Sequence, residues 1–481
     1  MCGIVGFTGT QNAAPVLLDG LSKLEYRGYD SAGIAVVQGN RIAISKVTGR
    51  IQNLREKTED GRLVPGTTGI GHTRWATHGA PNDINAHPHA SNDGKFAVVH
   101  NGIIENYMEL REELLRKGYR FESETDTEVI AHLIEDAWAG PAKGDLLTAV
   151  RNACRRLEGS WAIAAVCADA PGQIVVARNG SPLVVASAAD GAYCASDVTP
   201  LASVTSHVIQ LENGQFGRLS QAGEVEVFDS EGLPVAEPSA IDIDWDASAA
   251  TLGGYADFMA KEIAEQPEAI ERLLSGRLGE KGILLDELKM TEEELAAVDR
   301  IYLIACGTSY HVGLIARTLI QTWAKVPVIC DYASEFNYEQ DVLVTDHTLC
   351  VIITQSGETA DTLAAARKMH EMGAKVFAVT NVLGSTAARE SDGVMYVQAG
   401  PEVCVASTKA YTAQMVACAL FALRLAQSHG VMSAEEVAAH YQDLKAIPDA
   451  IREVIPRSWQ DKQAAAVFRN ATSALFLGRG V

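Results

Sequence analysis

The sequence predicts two folds in series: a layered, largely antiparallel α+β domain, then an α/β domain with a doubly wound parallel sheet. Three observations predict them. To about residue 235, short β-type runs are separated by Gly, Asn and Asp turns and interrupted by few helices. After residue 290, apolar β-branched runs alternate with long Ala- and Leu-rich stretches, the pattern of parallel strands buried under helices on both faces. Between them, residues 236–250 (AEPSAIDIDWDASAA) are acidic, small and turn-rich, which suits a linker.

In chain order, strands are expected over 4–7, 33–37, 96–100, 161–167 and 174–177. A helix is expected over 106–117, with Asn106 and Glu109 in capping-box spacing and Gly118 as its stop. A second, over 127–139, follows the polar cluster ESETD. In the later part the strands are RIYLIAC, TLCVIIT, KVFAVT and GVMYVQ. The closing run SALFLGRGV repeats the plan of RIYLIACGTS, a strand entering a Gly-bearing turn at Gly478 and Gly480. It is expected to begin a second α/β unit that this chain does not complete.

Length and charge narrow the function. The chain has 481 residues, more than one hydrophobic core usually serves, so two or three domains are expected. Its formal net charge of −21 repels phosphate backbones and anionic headgroups, which argues against nucleic-acid or membrane partners. There is no run of about eighteen apolar residues and no basic-then-apolar leader. The nine cysteines are odd in number and lack a C-x-x-C pair, as expected of reduced thiols in a cytoplasm.

Cys2 is the first candidate catalytic residue. Removal of the initiator Met would free its α-amine, whose ordinary pKa near 8 lets it take the proton of its own thiol. The strand-like IVGF behind it would hold this terminus still. Arg74 offers a planar fork for a carboxylate. The Asn101 amide and the Gly102 N–H suit a developing oxyanion, and Asp126 could accept an ammonium. Together they describe a site for an α-amino acid with a reactive carbonyl. His72, His78, His87, His89 and His100 crowd into 29 residues, but without metal-ligand helix spacing and with Pro81 and Pro88 between them. No metal is expected, and His87 and His89 are expected in turns or on the surface.

The segments CGIVGF, LEYRGYDSAG, GHTRWATHG, HNGIIEN and ETDTEV closely resemble the N-terminal-nucleophile glutaminase domain of glutamine amidotransferases, across about the first 230 residues. The resemblance implies a layered αββα fold in which Cys2 attacks the glutamine amide and releases ammonia through a thioester. It implies that Arg74, Thr77, His78 and Asp126 bind glutamine, and that Asn101 and Gly102 form the oxyanion hole. It places Arg27 and Tyr29 in a segment that closes over glutamine, and Trp75 along an ammonia passage.

In the later part, Gly307-Thr308-Ser309 and the QSGET turn at 355–359 each join a strand to a helix, offering N–H groups, hydroxyls and a positive helix end to a phosphate. A third hydroxyl-bearing turn, VCVAST, follows GVMYVQ. No G-x-x-x-x-G-K-[ST] loop is present. With KEIAEQP at 261–267, these segments look like the sugar-isomerase domains of the glutamine–fructose-6-phosphate aminotransferases. That resemblance implies transfer of glutamine-derived ammonia to fructose 6-phosphate and isomerisation to glucosamine 6-phosphate, with no cofactor and with a homodimer as the usual state. By motif, Thr308, Ser309, Thr354, Gln355, Ser356, Thr359, Val405 and Ser407 would contact the sugar phosphate. The expected boundaries are 2–235 for the glutaminase domain, 236–285 for linker and connecting helix, and 286–430 for the first sugar-isomerase domain. Residues 431–481 would form connecting helices and the first strand of a second.

The family's Schiff-base lysine, ring-opening histidine and proton-shuttling glutamate belong to that second domain, and Lys409 does not match the lysine. The alternative reading is therefore a glutaminase-coupled sugar-phosphate-binding module without completed synthase chemistry. The ATP loop of asparagine synthetase and the phosphoribosyl-pyrophosphate loop of amidophosphoribosyltransferase are both missing.

Overall fold

Small and β-branched residues make strand β1 (Gly3–Gly9) apolar on both faces, and both faces are buried. Such a strand needs a cover on each side, and the first of two compact units, Met1–Thr251, supplies both. The second unit is Leu252–Val481. The computed structural model describes residues 2–25, 28–75, 79–142, 144–242, 253–460, 462–475 and 477–478.

In the first unit β1 is followed by α1 (Ala13–Ser22), β2 (Ser31–Gln38), β3 (Arg41–Thr48), α2 (Ile51–Thr58) and β4 (Thr68–Arg74). Next come β5 (His89–Ala90), β6 (Phe96–Ile104), α3 (Tyr107–Arg116), α4 (Glu128–Ala137) and α5 (Leu146–Cys154). The remaining strands are β7 (Gly159–Cys167), β8 (Gln173–Asn179), β9 (Val184–Ala188), β10 (Gly191–Ala195), β11 (His207–Gln210), β12 (Phe216–Ser220), β13 (Val225–Phe228) and β14 (Ala240–Asp242).

They build an eight-stranded sheet, β14-β11-β9-β10-β1-β4-β2-β3, and a six-stranded sheet, β13-β12-β8-β7-β6-β5. The sheets meet through Ile4, Ile70, Val99, Ala164 and Val176. Leu17 and Leu21 of α1 and Leu54 of α2 cover the outer face of the first sheet. Leu114 of α3, Ile130 of α4 and Val150 of α5 cover the outer face of the second. The layer order is αββα.

The second unit opens with α6 (Phe258–Ala264), α7 (Gln266–Leu274), β15 (Leu278–Gly279), β16 (Gly282–Ile283) and α8 (Glu292–Ala296). The strand–helix alternation then runs β17 (Arg300–Ala305), α9 (Gly307–Trp323), β18 (Val328–Tyr332), α10 (Ala333–Phe336), β19 (Thr348–Thr354), α11 (Ala360–Glu371), β20 (Lys375–Thr380), α12 (Thr386–Glu390) and β21 (Gly393–Tyr396). Helices α13 (Lys409–Ser428), α14 (Ala434–Gln460) and α15 (Lys462–Phe468) follow. The sheet order is β18-β17-β19-β20-β21, with every pair parallel. One face packs on α7, α9 and α13, the other on α10 and α11, so the sheet is doubly wound. The chain leaves β17 for β18 on one side and returns to β19 on the other. The switch point of the sheet is therefore between β17 and β19, where open α/β sheets bind ligands.

Two local expectations fail. Asn106 does not cap α3 with its side chain: its amide instead donates to the Arg156 carbonyl oxygen (2.9 Å) and accepts the Glu158 N–H (3.1 Å), so tertiary partners outcompete the capping box. In the SALFLG run the described residues, 473–475, 477 and 478, are in no strand, and Leu475 and Leu477 are exposed.

Candidate active site

The start of β1 is where the first unit gathers its chemistry. The antiparallel register pairs Gly3 with Thr73, so the end of β4 lies beside Cys2. Cys2 Sγ is 3.3 Å from the Trp75 backbone N, which donates to it, and 3.6 Å from the Trp75 carbonyl oxygen. Burial raises the thiol above its ordinary pKa, only partly opposed by the Trp75 N–H, so ionisation needs a base close by. Behind Cys2, Ser196 Oγ accepts the Ile4 N–H at 3.0 Å and pins the strand.

Strand β6 of the opposite sheet brings Asn101, whose Nδ2 donates to the Cys2 carbonyl oxygen at 3.0 Å. Gly102 has φ +133°, and a Cβ there would collide with the Ser160 carbonyl oxygen, so only glycine fits. Asp126 is buried and accepts the Ile104 N–H at 2.9 Å, which ties it to the end of β6 two residues past Gly102. Its loop is braced by Glu128, whose carboxylate accepts the N–H groups of Glu122 (2.8 Å) and Ser123 (2.7 Å).

Arg74 is buried, and its guanidinium donates to the carbonyl oxygens of Gly79 (3.2 Å) and Ala80 (3.4 Å). Tyr29 and Trp75, both partly exposed, meet edge to face at 5.3 Å. Arg27, Thr77 and His78 lie outside the described residues.

The histidines correct the sequence reading. His87 and His89 are not surface residues: with His72 and His100 they are buried, at 5% and 3% exposure. His72 stacks on His87 at 4.1 Å, and His87 meets His89 edge to face at 4.8 Å. They lie on or beside β4, β5 and β6, where the sheets face one another, and neutral imidazoles fill that space. Burial holds His72, His87, His89 and His100 below the ordinary histidine value. No cluster among the described residues has the makings of a metal centre.

In the second unit, two of the three hydroxyl-bearing turns flank the switch point. After β17, Cys306 leads into α9 through Gly307; Thr308 is exposed, and Ser309 is buried with its Oγ donating to Gln414 Oε1 of α13 at 3.1 Å. After β19, the Thr354 hydroxyl accepts the Gly357 N–H (3.1 Å) and that of Ser356 accepts the Glu358 N–H (3.2 Å). Thr354 Oγ1 also lies 3.4 Å from Thr359 Oγ1, and the Gln355 carbonyl oxygen accepts the Asn381 N–H. The third turn, 403–408, precedes α13. Val405 is exposed there, and Ser407 Oγ donates to Glu402 at 2.9 Å. Glu262 of α6 accepts the N–H groups of Val403 and Cys404, and Glu402 those of Thr408 and Ala410. Lys409 is buried and paired with Glu265 at 2.6 Å.

Two family models match: that of the glutamine amidotransferase domain over residues 72–203, and that of the SIS domain over 294–424. Across its whole length the chain is 48% identical to the glutamine–fructose-6-phosphate aminotransferase (isomerizing) of Symbiobacterium thermophilum, covering 78% of it. The chain belongs to that family. It is 47% identical to the aminotransferase of Streptomyces coelicolor and 45% to that of Clostridium acetobutylicum, again over the whole chain and 78% of each relative. The C-terminal domain of the Francisella tularensis aminotransferase resembles 48% of the chain at 38% identity, with a TM-score of 0.46 and 65% of that structure covered.

Beside the residues that the aminotransferase motifs single out, sequence reading missed those that brace them. His72 touches Asn101, Glu128 ties down the loop of Asp126, and Glu262 and Glu402 hold the turn of Val405 and Ser407. His72, Glu128 and Glu262 stand inside GHTRWATHG, ETDTEV and KEIAEQP. The signal was a motif position with no role attached.

Proposed function

We propose that the chain hydrolyses the side-chain amide of glutamine at Cys2 and passes the ammonia to fructose 6-phosphate, forming glucosamine 6-phosphate. The observation that carries this reading is the meeting of two donors on Cys2 at the start of β1: the Asn101 amide on its carbonyl oxygen and the Trp75 N–H on its thiol. Once Met1 is removed, the α-amine takes the thiol proton, answering the burial that otherwise keeps the thiol protonated. The thiolate attacks the amide carbon. The Gly102 N–H and the second hydrogen of Asn101 Nδ2 receive the oxyanion. Collapse expels ammonia and leaves a thioester, which water opens to glutamate.

In this reading Arg74, Thr77, His78 and Asp126 bind glutamine, Arg74 through its carboxylate and Asp126 through its ammonium, while Arg27 and Tyr29 belong to the segment that closes over it and Trp75 to the ammonia passage. Thr308, Ser309, Thr354, Gln355, Ser356 and Thr359 hold the sugar phosphate, supported by the position of their turns at the switch point. Val405 and Ser407 of the third turn contact it as well. Addition of ammonia to the ketone and isomerisation release the water that glutamine hydrolysis consumed, so the sum is glutamine plus fructose 6-phosphate to glutamate plus glucosamine 6-phosphate. A cytoplasmic homodimer belongs to the same reading; among the described residues no helix is long and apolar enough to cross a membrane.

The test is product analysis with glutamine, with and without fructose 6-phosphate. Glutamate is expected in both cases and glucosamine 6-phosphate in the second, with both products lost in C2A. Glutamate release by C2A at the wild-type rate would sink the nucleophile assignment. Glutamate without glucosamine 6-phosphate would reduce the reading to its glutaminase half.

A further inference from the structure

His72 is wholly buried on β4, and its ring reaches the opposite sheet. Its Nε2 lies 3.0 Å from the His100 carbonyl oxygen and 3.0 Å from Asn101 Oδ1. A backbone carbonyl only accepts, so Nε2 carries the hydrogen and shares it between the two oxygens. The Asn101 amide is fixed from its other end by the same logic. Its Nδ2 faces the Cys2 carbonyl oxygen at 3.0 Å, another pure acceptor.

An asparagine amide is nearly symmetric in shape, so packing alone discriminates weakly between its two orientations. Flipped, it would put an oxygen where the oxyanion forms and an NH₂ group against the His72 N–H. The imidazole itself is held firmly. It stacks on His87 within 18° of parallel, and His87 accepts the His100 N–H at 3.4 Å and lies 3.3 Å from Thr127 Oγ1. His72 Nδ1 has no hydrogen-bond partner among the described residues, a cost of about 1–3 kcal/mol for a buried acceptor.

We infer that His72 is a positioning residue of the glutamine site, its Nε2–H holding the Asn101 amide with the NH₂ group toward Cys2. The inference rests on the glutaminase reading above and adds a residue that touches neither substrate nor nucleophile.

The experiment measures glutamate release by the full chain in H72M, H72Q, N101A and the double variant H72M/N101A. H72M is expected to lower kcat about 10- to 100-fold, up to the effect of losing one oxyanion donor, with KM within about twofold. H72Q keeps an N–H and is expected within about fivefold of wild type. In the N101A background H72M is expected to cost less than about twofold more, because the group it positions is gone. Alkylation of Cys2 by iodoacetamide needs the thiolate but no oxyanion hole, and is expected to keep its rate in H72M.

An equal loss from H72M in both backgrounds, a change confined to KM, or wild-type kcat in H72M each overturns the inference. If H72M does not fold, H72Q carries the test: any loss it shows must vanish in the N101A background, and one that persists overturns the role. Failure of the wild type to release glutamate, or full release by C2A, strikes the glutaminase reading itself and is told apart by those two controls.

Discussion

At Gly102 a single missing Cβ decides the site. The backbone turns through φ +133° against the Ser160 carbonyl oxygen of β7, one residue after the amide that touches Cys2. G102A is expected to cost about 1–3 kcal/mol in stability from strain at such a backbone. If the Gly102 N–H serves the oxyanion as proposed, it is also expected to cut glutamate release more than it cuts the folded fraction, because the collision displaces that N–H. Urea midpoints alongside kcat check this; a variant with normal stability and normal kcat would refute it. Asn101 and Gly102 were legible in the sequence as HNG, but as the end of a strand, whereas β6 runs on to Ile104 because its pairing with β7 continues to Gly159. The burial of His87 and His89 was not, because the Pro residues nearby read as loop while the packing of two sheets against each other is invisible along one chain.

At the scale of elements, α4 shows how a helix start can serve a site. Burial alone would raise Glu128, but its pairing with His132 (3.6 Å) and its hydrogen bonds from Ser123 and Glu122 lower it to about 2. Burial alone would lower His132, but Glu128 and Glu135 raise it above the ordinary histidine value. The His132 contribution is thus full below its unfolded value of about 6.5 and is lost as pH rises through the folded one; that of Glu128 is present above about 4.5 and is lost toward pH 2. H132Q is expected to cost about 3 kcal/mol near pH 6 and clearly less at pH 8.5, read as urea midpoints; a penalty unchanged with pH would contradict the ion pair. Strand and helix periods were legible here because amphipathic faces repeat locally. The Asn106 cap was not, since Arg156 and Glu158, fifty residues on, take its amide.

Across the whole molecule, each of the two units has its own cores, and in each buried carboxylates hold the backbone of a candidate loop: Glu128 in the first, Glu262 and Glu402 in the second. In the second unit burial, reinforced by Glu402, raises Glu262 to about 7 despite the N–H bonds from Val403 and Cys404. Between about 4.5 and 7 the folded chain holds a proton that the unfolded chain has released, so this group makes stability fall as pH rises through that window. E262Q is expected to flatten that slope in urea midpoints taken from pH 5 to 8; an unchanged slope would place the proton elsewhere. In the first unit, β1 is paired on both edges, by β10 and β4, and buried along all seven residues. Local fraying therefore has little purchase on the strand that follows Cys2, the proposed nucleophile, and its amide protons are expected to exchange only when the whole unit opens. Glutamate release during denaturation then becomes a gauge of the intact fraction of that unit, read by catalysis instead of spectroscopy.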